Sequence, residues 1–118
     1  MYKEFHELEI WKEGYNLLMK IYKLSATFPE FEKYSLKSQI TRSANSIIAN
    51  IAEAHGRYFY KDKVRVFYIA RGEIMETRSH LSVAFGNKYT SEEEFKNLDQ
   101  EYKKLTKKLN SFINKIRN

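Results

Sequence analysis

Apolar side chains recur along this chain at alternating steps of three and four residues, the spacing that lines one face of an α-helix. The run is longest near the end, where Phe95, Leu98, Tyr102, Leu105, Leu109, Phe112 and Ile116 form one seam. Ahead of it, Thr90 with Glu93 and Ser91 with Glu94 each fit a capping box. Glu92, Glu93 and Glu94 sit where the helix dipole is positive, and lysines gather toward its negative end. A first segment repeats the spacing with Leu8, Trp11, Tyr15, Leu18 and Tyr22, widened by Ile21 and Phe28. Pro29 then turns Phe28 away from helical geometry.

Two intermediate segments differ in character. From Ser35, a plausible N-cap, Leu36, Ile40, Ala44, Ile47 and Ile51 make a core row up to a stop at Gly56. Beside it runs a polar row of Gln39, Ser43, Ser46, Asn50 and Glu53, continued by Arg57, with the small Ser38, Ala49 and Ala52 between. A polar row on a packed helix must be solvated or paired. Arg42, Asn50 and Glu53 are expected to meet Glu73, Glu76 or Arg78 between helices or between subunits, fixing register more than adding stability. The third segment places Val64, Phe67, Ala70, Ile74, Leu81 and Phe85 inward and ends at Gly86 and Asn87. Gly72 interrupts it at a cost of about 1 kcal/mol relative to alanine, for which close packing on another helix would compensate. The pattern predicts helices over about residues 5–28, 36–55, 61–85 and 91–117.

At 118 residues, with four glycines and one proline, the chain suits an all-α, antiparallel up-down-up-down four-helix bundle in a single domain spanning residues 1–118. Cysteine is absent, which excludes disulfides and zinc–thiolate sites. No apolar run approaches a membrane span, and the N-terminus lacks the layout of a signal peptide, so a cytoplasmic protein with no membrane partner is expected.

Charge adds a direction. The net charge is +6, and no acidic residue follows Glu101, whereas Lys103, Lys104, Lys107, Lys108, Lys115 and Arg117 all do. A single-signed end attracts polyanions, although the same residues also fit a solubilising helix face. A second candidate nucleic-acid surface is Arg57-Tyr58-Phe59-Tyr60-Lys61, followed by Lys63 and Arg65, where rings beside cations could stack unpaired bases. The favoured reading of that stretch is a turn packed on the bundle end. Glu73, Glu76 and His80 share a helix face, but neither glutamate has a histidine three residues on, as di-iron bundles need. No metal and no cofactor are expected. Nothing resembles a nucleophilic triad, a phosphate loop or a hydrolase motif, so no enzymatic activity is expected.

The string Ser43-Ala44-Asn45-Ser46-Ile47-Ile48-Ala49-Asn50-Ile51-Ala52-Glu53 resembles the "SI-x-ANIAEG" signature of the bacterial four-helix-bundle proteins encoded in intervening sequences of large-subunit ribosomal RNA genes. Leu8-Glu9-Ile10-Trp11, Ile21-Tyr22 with Phe28-Pro29, Leu36 to Arg42, and Ile69-Ala70-Arg71-Gly72 with Glu76-Thr77 resemble its other motifs in order. Ala54 stands where the pattern has glycine, and Glu73 where it has serine. The resemblance implies a homopentamer without enzymatic activity. A related set serves diversity-generating retroelements as accessory subunits, which implies RNA and a reverse transcriptase as partners. Together with the charge, this makes an RNA-binding accessory protein the leading expectation and a purely structural homo-oligomer the alternative.

Overall fold

The computed structural model describes residues 3–117. A 3₁₀ turn over Phe5–Glu7 leads into α1 (Glu9–Ser25), a second over Glu30–Glu32 into α2 (Leu36–Gly56), and α3 (Tyr60–Gly86) and α4 (Glu92–Ile116) follow. The described residues contain no strand. Cross-helix partners run in opposite directions: Ser43 meets Thr77 while Ser46 meets Glu73, and Arg78 meets Asp99 while Arg71 meets Asn110. Gly14 lies beside Ile48 while Lys3 meets His55, so α1 and α2 are opposed as well, and the result is an antiparallel four-helix bundle, elongated at 45 × 25 × 20 Å. Helices α2 and α3 pack along most of their length, whereas α1 and α4 meet more sparsely.

The core is filled by Ile21, Ile40, Ile47, Ile51, Phe67, Ile74, Leu81, Leu105 and Leu109, all fully or almost fully buried. Ser43 and Thr77 are buried with them, their hydroxyls hydrogen-bonded to each other at 2.8 Å. That pairing explains how a member of the polar row enters the core at little cost.

The buried stripes depart from the expected ones in three helices. In α1 Leu18 and Ile21 are buried as expected, but the rest of the row is Ile10, Gly14, Leu17 and Leu24, and Tyr15 and Tyr22 are exposed. Gly14 disguises this stripe, because it carries no side chain and sits where helices approach most closely. A Cβ built on it would lie 2.5 Å from Ile48 Cγ2. At Gly72 a Cβ meets nothing within 4 Å, so the expected close packing there is absent and Gly14 is the glycine that performs it. In α4 Ile113 is buried, with Phe112 and Ile116 partly so. A strict seven-residue repeat drifts about 20° per heptad on a straight helix, which carries the core position off the predicted seam. In α3 Ala84 takes the core position, and Phe85 stacks on Phe95 at 4.8 Å.

The helix ends also differ in detail. The first helix starts at Glu9 because Leu8, buried but extended (ψ 132°), separates it from the 3₁₀ turn. Ser35 occupies the N-cap of α2 without bonding, and Glu32 Oε1 instead accepts from the Leu36 amide at 3.2 Å. Ser91 caps α4 by accepting from the Glu94 amide at 3.1 Å, while Thr90 turns to Ser91 O and Glu94 Oε1. Helix α3 ends in a Schellman arrangement whose left-handed residue is Lys88 (φ 62°), with the Tyr89 amide donating to Ala84 O.

One core residue is incompletely satisfied. Tyr102 is fully buried, and its hydroxyl has no hydrogen-bond partner among the described residues. Burial pushes this phenol well above the usual tyrosine range. Tyr102→Phe removes the stranded hydroxyl at unchanged shape, and is expected to raise stability by about 1 kcal/mol in urea unfolding. A variant less stable than the parent would show that the hydroxyl has a partner.

Candidate nucleic-acid interface

The polar row of α2 divides. Arg42, half-exposed, bonds Glu76 and lies 3.5 Å from Glu73. Ser46 Oγ donates to Glu73 Oε2 at 2.8 Å, which completes a clasp between α2 and α3. Burial and the neighbouring Glu76 hold the Glu73 carboxyl above the usual range, whereas hydrogen bonds from Glu73 and Arg42 hold Glu76 below it. The remaining members do not reach across to α3 as expected. Asn50 Nδ2 donates to Ser46 within its own helix at 2.8 Å, and Glu53 pairs with Arg57 one turn on at 2.6 Å. Arg78 points instead to α4, where Nε meets Asp99 Oδ1 at 2.7 Å. Gln39 is exposed at the row's start. His80 sits one turn beyond Glu76, and the described residues bring no three acidic or histidine side chains together as a metal site would need.

The cations after Glu101 are all exposed, but they divide between two faces of α4. One face meets α1. Lys108 lies 3.2 Å from Glu9 and 2.9 Å from Glu13, and these carboxylates hold its ammonium above the usual lysine range. Nearby, Lys20 pairs with Glu101 at 2.9 Å, and Lys104 shares a groove with Lys20, Glu13 and Glu101. Lys115 lines a further groove of about 570 Å³ beside Glu9 and Ile10. Positive charge on this side is interleaved with carboxylates, contrary to a uniform lysine face.

The other face meets α3, and it is more uniformly basic. On a helix of 3.6 residues per turn, Lys103 and Arg117 turn toward α3, whereas Lys107 stands on the outer crest and also lines the groove beside Glu9 and Lys115. Across the junction α3 presents Arg71 and Arg78, with Lys61 and Arg65 further round on its outer side. Arg71 Nη1 donates to Asn110 at 2.9 Å and its guanidinium lies 4.6 Å from the centre of the Tyr68 ring. Glu73 and Glu76 are drawn to Arg42 and Glu101 to Lys20. Asp99, largely buried beneath Arg78 and 3.7 Å from Lys103, is the carboxylate at the centre of this face, and Glu92, seven residues before it, pairs with Lys96 at 2.8 Å. Sequence reasoning missed Arg71 and Arg78 here. Their spacing of seven residues on one helix was the available signal, but their direction depends on how α3 is rotated.

The turn between α2 and α3 is not packed down. Tyr58 and Phe59 are 81% and 69% exposed, with ring centres 5.0 Å apart and nearly perpendicular. Arg57 is held by Glu53, Lys63 donates to His55 O at 2.7 Å, and Lys61 and Arg65 are exposed.

Fold and helix order together define a small antiparallel four-helix bundle. The chain belongs to the 23S rRNA-intervening sequence protein family, whose profile matches residues 6–111. A solved protein of unknown function from the S23 ribosomal protein family of Bacteroides thetaiotaomicron VPI-5482 superimposes with a TM-score of 0.81 at 26% identity, covering 88% of this chain and 97% of that one. No curated protein matches the chain. No helix among the described residues is long and apolar enough to cross a membrane.

Proposed function

We propose that this protein is a non-enzymatic, self-assembling bundle that binds RNA, alone or within a ribonucleoprotein, through the α3–α4 face. The observation that carries this reading is the gathering of Lys103, Arg71 and Arg78 about the α3–α4 junction, where Asp99 is paired with Arg78 and Lys103, with Arg117 turned to the same side and Lys61, Arg65 and Lys107 on the outer flanks. Lysine and arginine contacts to phosphate are independent of sequence and release counterions, so such a face suits a polyanion. The family's tie to 23S rRNA makes RNA the natural candidate. By resemblance, the assembly is a homopentamer and a reverse transcriptase is a candidate partner.

Self-association has its own support. Trp11, Tyr15, Met19 and Tyr22 of α1 form an outer ridge beside the small outer stripe Ser38, Asn45, Ala49 and Ala52 of α2, and α3 exposes Ile69 and Val83 elsewhere. Two unlike patches meeting between copies make a head-to-tail interface, which gives a ring where the rotation between copies closes. Those patches also favour the alternative, a homo-oligomer that binds no nucleic acid.

Fluorescence anisotropy with single-stranded and structured RNA at about 50 and 200 mM salt separates the two readings. Affinity falling linearly in log–log with salt supports RNA binding, and Lys103→Gln with Lys107→Gln should weaken it about tenfold and flatten the salt slope. No binding at the lower salt leaves assembly alone.

A further inference from the structure

The turn joining α2 to α3 holds two adjacent aromatic rings in solvent; the loop joining α1 to α2 also exposes Phe31 and Tyr34, but there Glu30 and Glu32 flank the rings. Tyr58 and Phe59 hold their rings largely in solvent, and Tyr60 begins α3 still more than a third exposed. Phe59 occupies the N-cap without a side-chain bond, so its ring serves neither the cap nor the core. Exposed aromatic rings placed side by side usually mark a contact surface.

The surroundings of these rings say which kind. Lys61 and Arg65 follow within two turns of α3. Phe67 meets Phe112 at 5.3 Å with the helices antiparallel, so the last turn of α4, bearing Lys115 and Arg117, lies at the same end of the bundle. The basic α3–α4 face thus runs out onto the aromatic turn. A protein-docking patch is expected to surround its rings with apolar neighbours, whereas here the neighbouring side chains are charged, Lys61, Lys63 and Arg65 outnumbering Asp62. Rings beside cations complement a chain that alternates flat bases with phosphates.

We infer that Tyr58 and Phe59 form a base-stacking platform at the end of the basic face, which makes the preferred ligand a single-stranded nucleic acid or an unpaired loop or end. Bases within a duplex are already stacked on one another and offer no face to a protruding ring. Single-stranded bases stack on aromatic side chains with little regard to sequence. In this arrangement Lys61, Arg65 and Arg117 hold phosphates while a base rests on the turn. The inference rests on RNA binding by the α3–α4 face and specifies its ligand.

The test measures anisotropy of a labelled single-stranded RNA and of the matching duplex with the parent protein, with Tyr58→Ala/Phe59→Ala, and with Tyr58→Trp/Phe59→Trp. The alanine pair should lose about tenfold or more in affinity for the single strand, with little change for the duplex and an unchanged salt slope. The tryptophan pair should retain single-strand binding. Circular dichroism of both variants should match the parent, since the rings lie outside the core. If the parent binds both RNAs and the alanine pair binds them as the parent does, the platform is refuted while the basic face survives. Equal losses on both RNAs also refute it. If the parent binds neither, the reading of the basic face falls first and takes the platform with it.

Discussion

Gly14→Ala should destabilise the bundle by about 1 to 2 kcal/mol, even though alanine is the better helix former by about 1 kcal/mol. The new methyl would sit 2.5 Å from Ile48 Cγ2, well inside any tolerable contact, while Leu105 Cδ2 at 3.8 Å and Ile47 Cγ2 at 3.9 Å would accept it. Ile48 is β-branched and almost fully buried in α2, so its χ1 has one strongly preferred setting and the methyl cannot swing aside. Relief then requires α1 and α2 to move apart at the point of closest approach. Ile48→Ala alone should cost about 2 to 4 kcal/mol through the cavity it leaves. Added to Ile48→Ala, Gly14→Ala should cost nothing or restore stability, a coupling of about 1 kcal/mol or more. Urea unfolding of the four proteins measures this cycle, and an unperturbed Gly14→Ala single variant would contradict the close approach.

Asp99→Asn should act in two directions at once. Asp99 and Arg78 are 16% and 25% exposed, joined at 2.7 and 3.4 Å, with Lys103 a further 3.7 Å contact. Neutralising the acid leaves a largely covered guanidinium with one weak acceptor, and stability should fall by about 1 to 2 kcal/mol. It also removes the carboxylate at the centre of the α3–α4 face. Affinity for RNA should therefore rise several-fold at about 50 mM salt, with a steeper salt dependence. A variant that remains folded and binds RNA no more tightly would place the RNA elsewhere on the bundle.

The helices and their antiparallel order were legible because apolar side chains at three- and four-residue steps admit few other readings. The family was legible in the α2 string, where small and polar residues alternate in a distinctive order. The core stripe of α1 was legible only in part, at Leu8, Leu18 and Ile21, since the rest passes through Gly14, and a glycine gives no hydropathy signal where two helices come close. Lys108 reads as one more member of a basic run, and only the packing of α1 shows it occupied by Glu9 and Glu13. Arg71 and Arg78 fell outside the predicted interface because a helix's rotation about its own axis is set by neighbours distant in sequence. The aromatic turn was visible, but its apolar content argued for burial, and only three dimensions show it standing clear.

The junction of α1 with α4 has a consequence for how the molecule comes together and comes apart. All other neighbouring helices are joined by short links and zip up as successive hairpins, whereas this one must close a loop that spans most of the polypeptide. It is sealed by Lys20 with Glu101 and by Lys108 with Glu9 and Glu13, contacts that ions in solution weaken. The first and last helices therefore form the final door to shut during folding and the first to stand ajar, while the α2–α3 hairpin keeps its shape as the enduring frame.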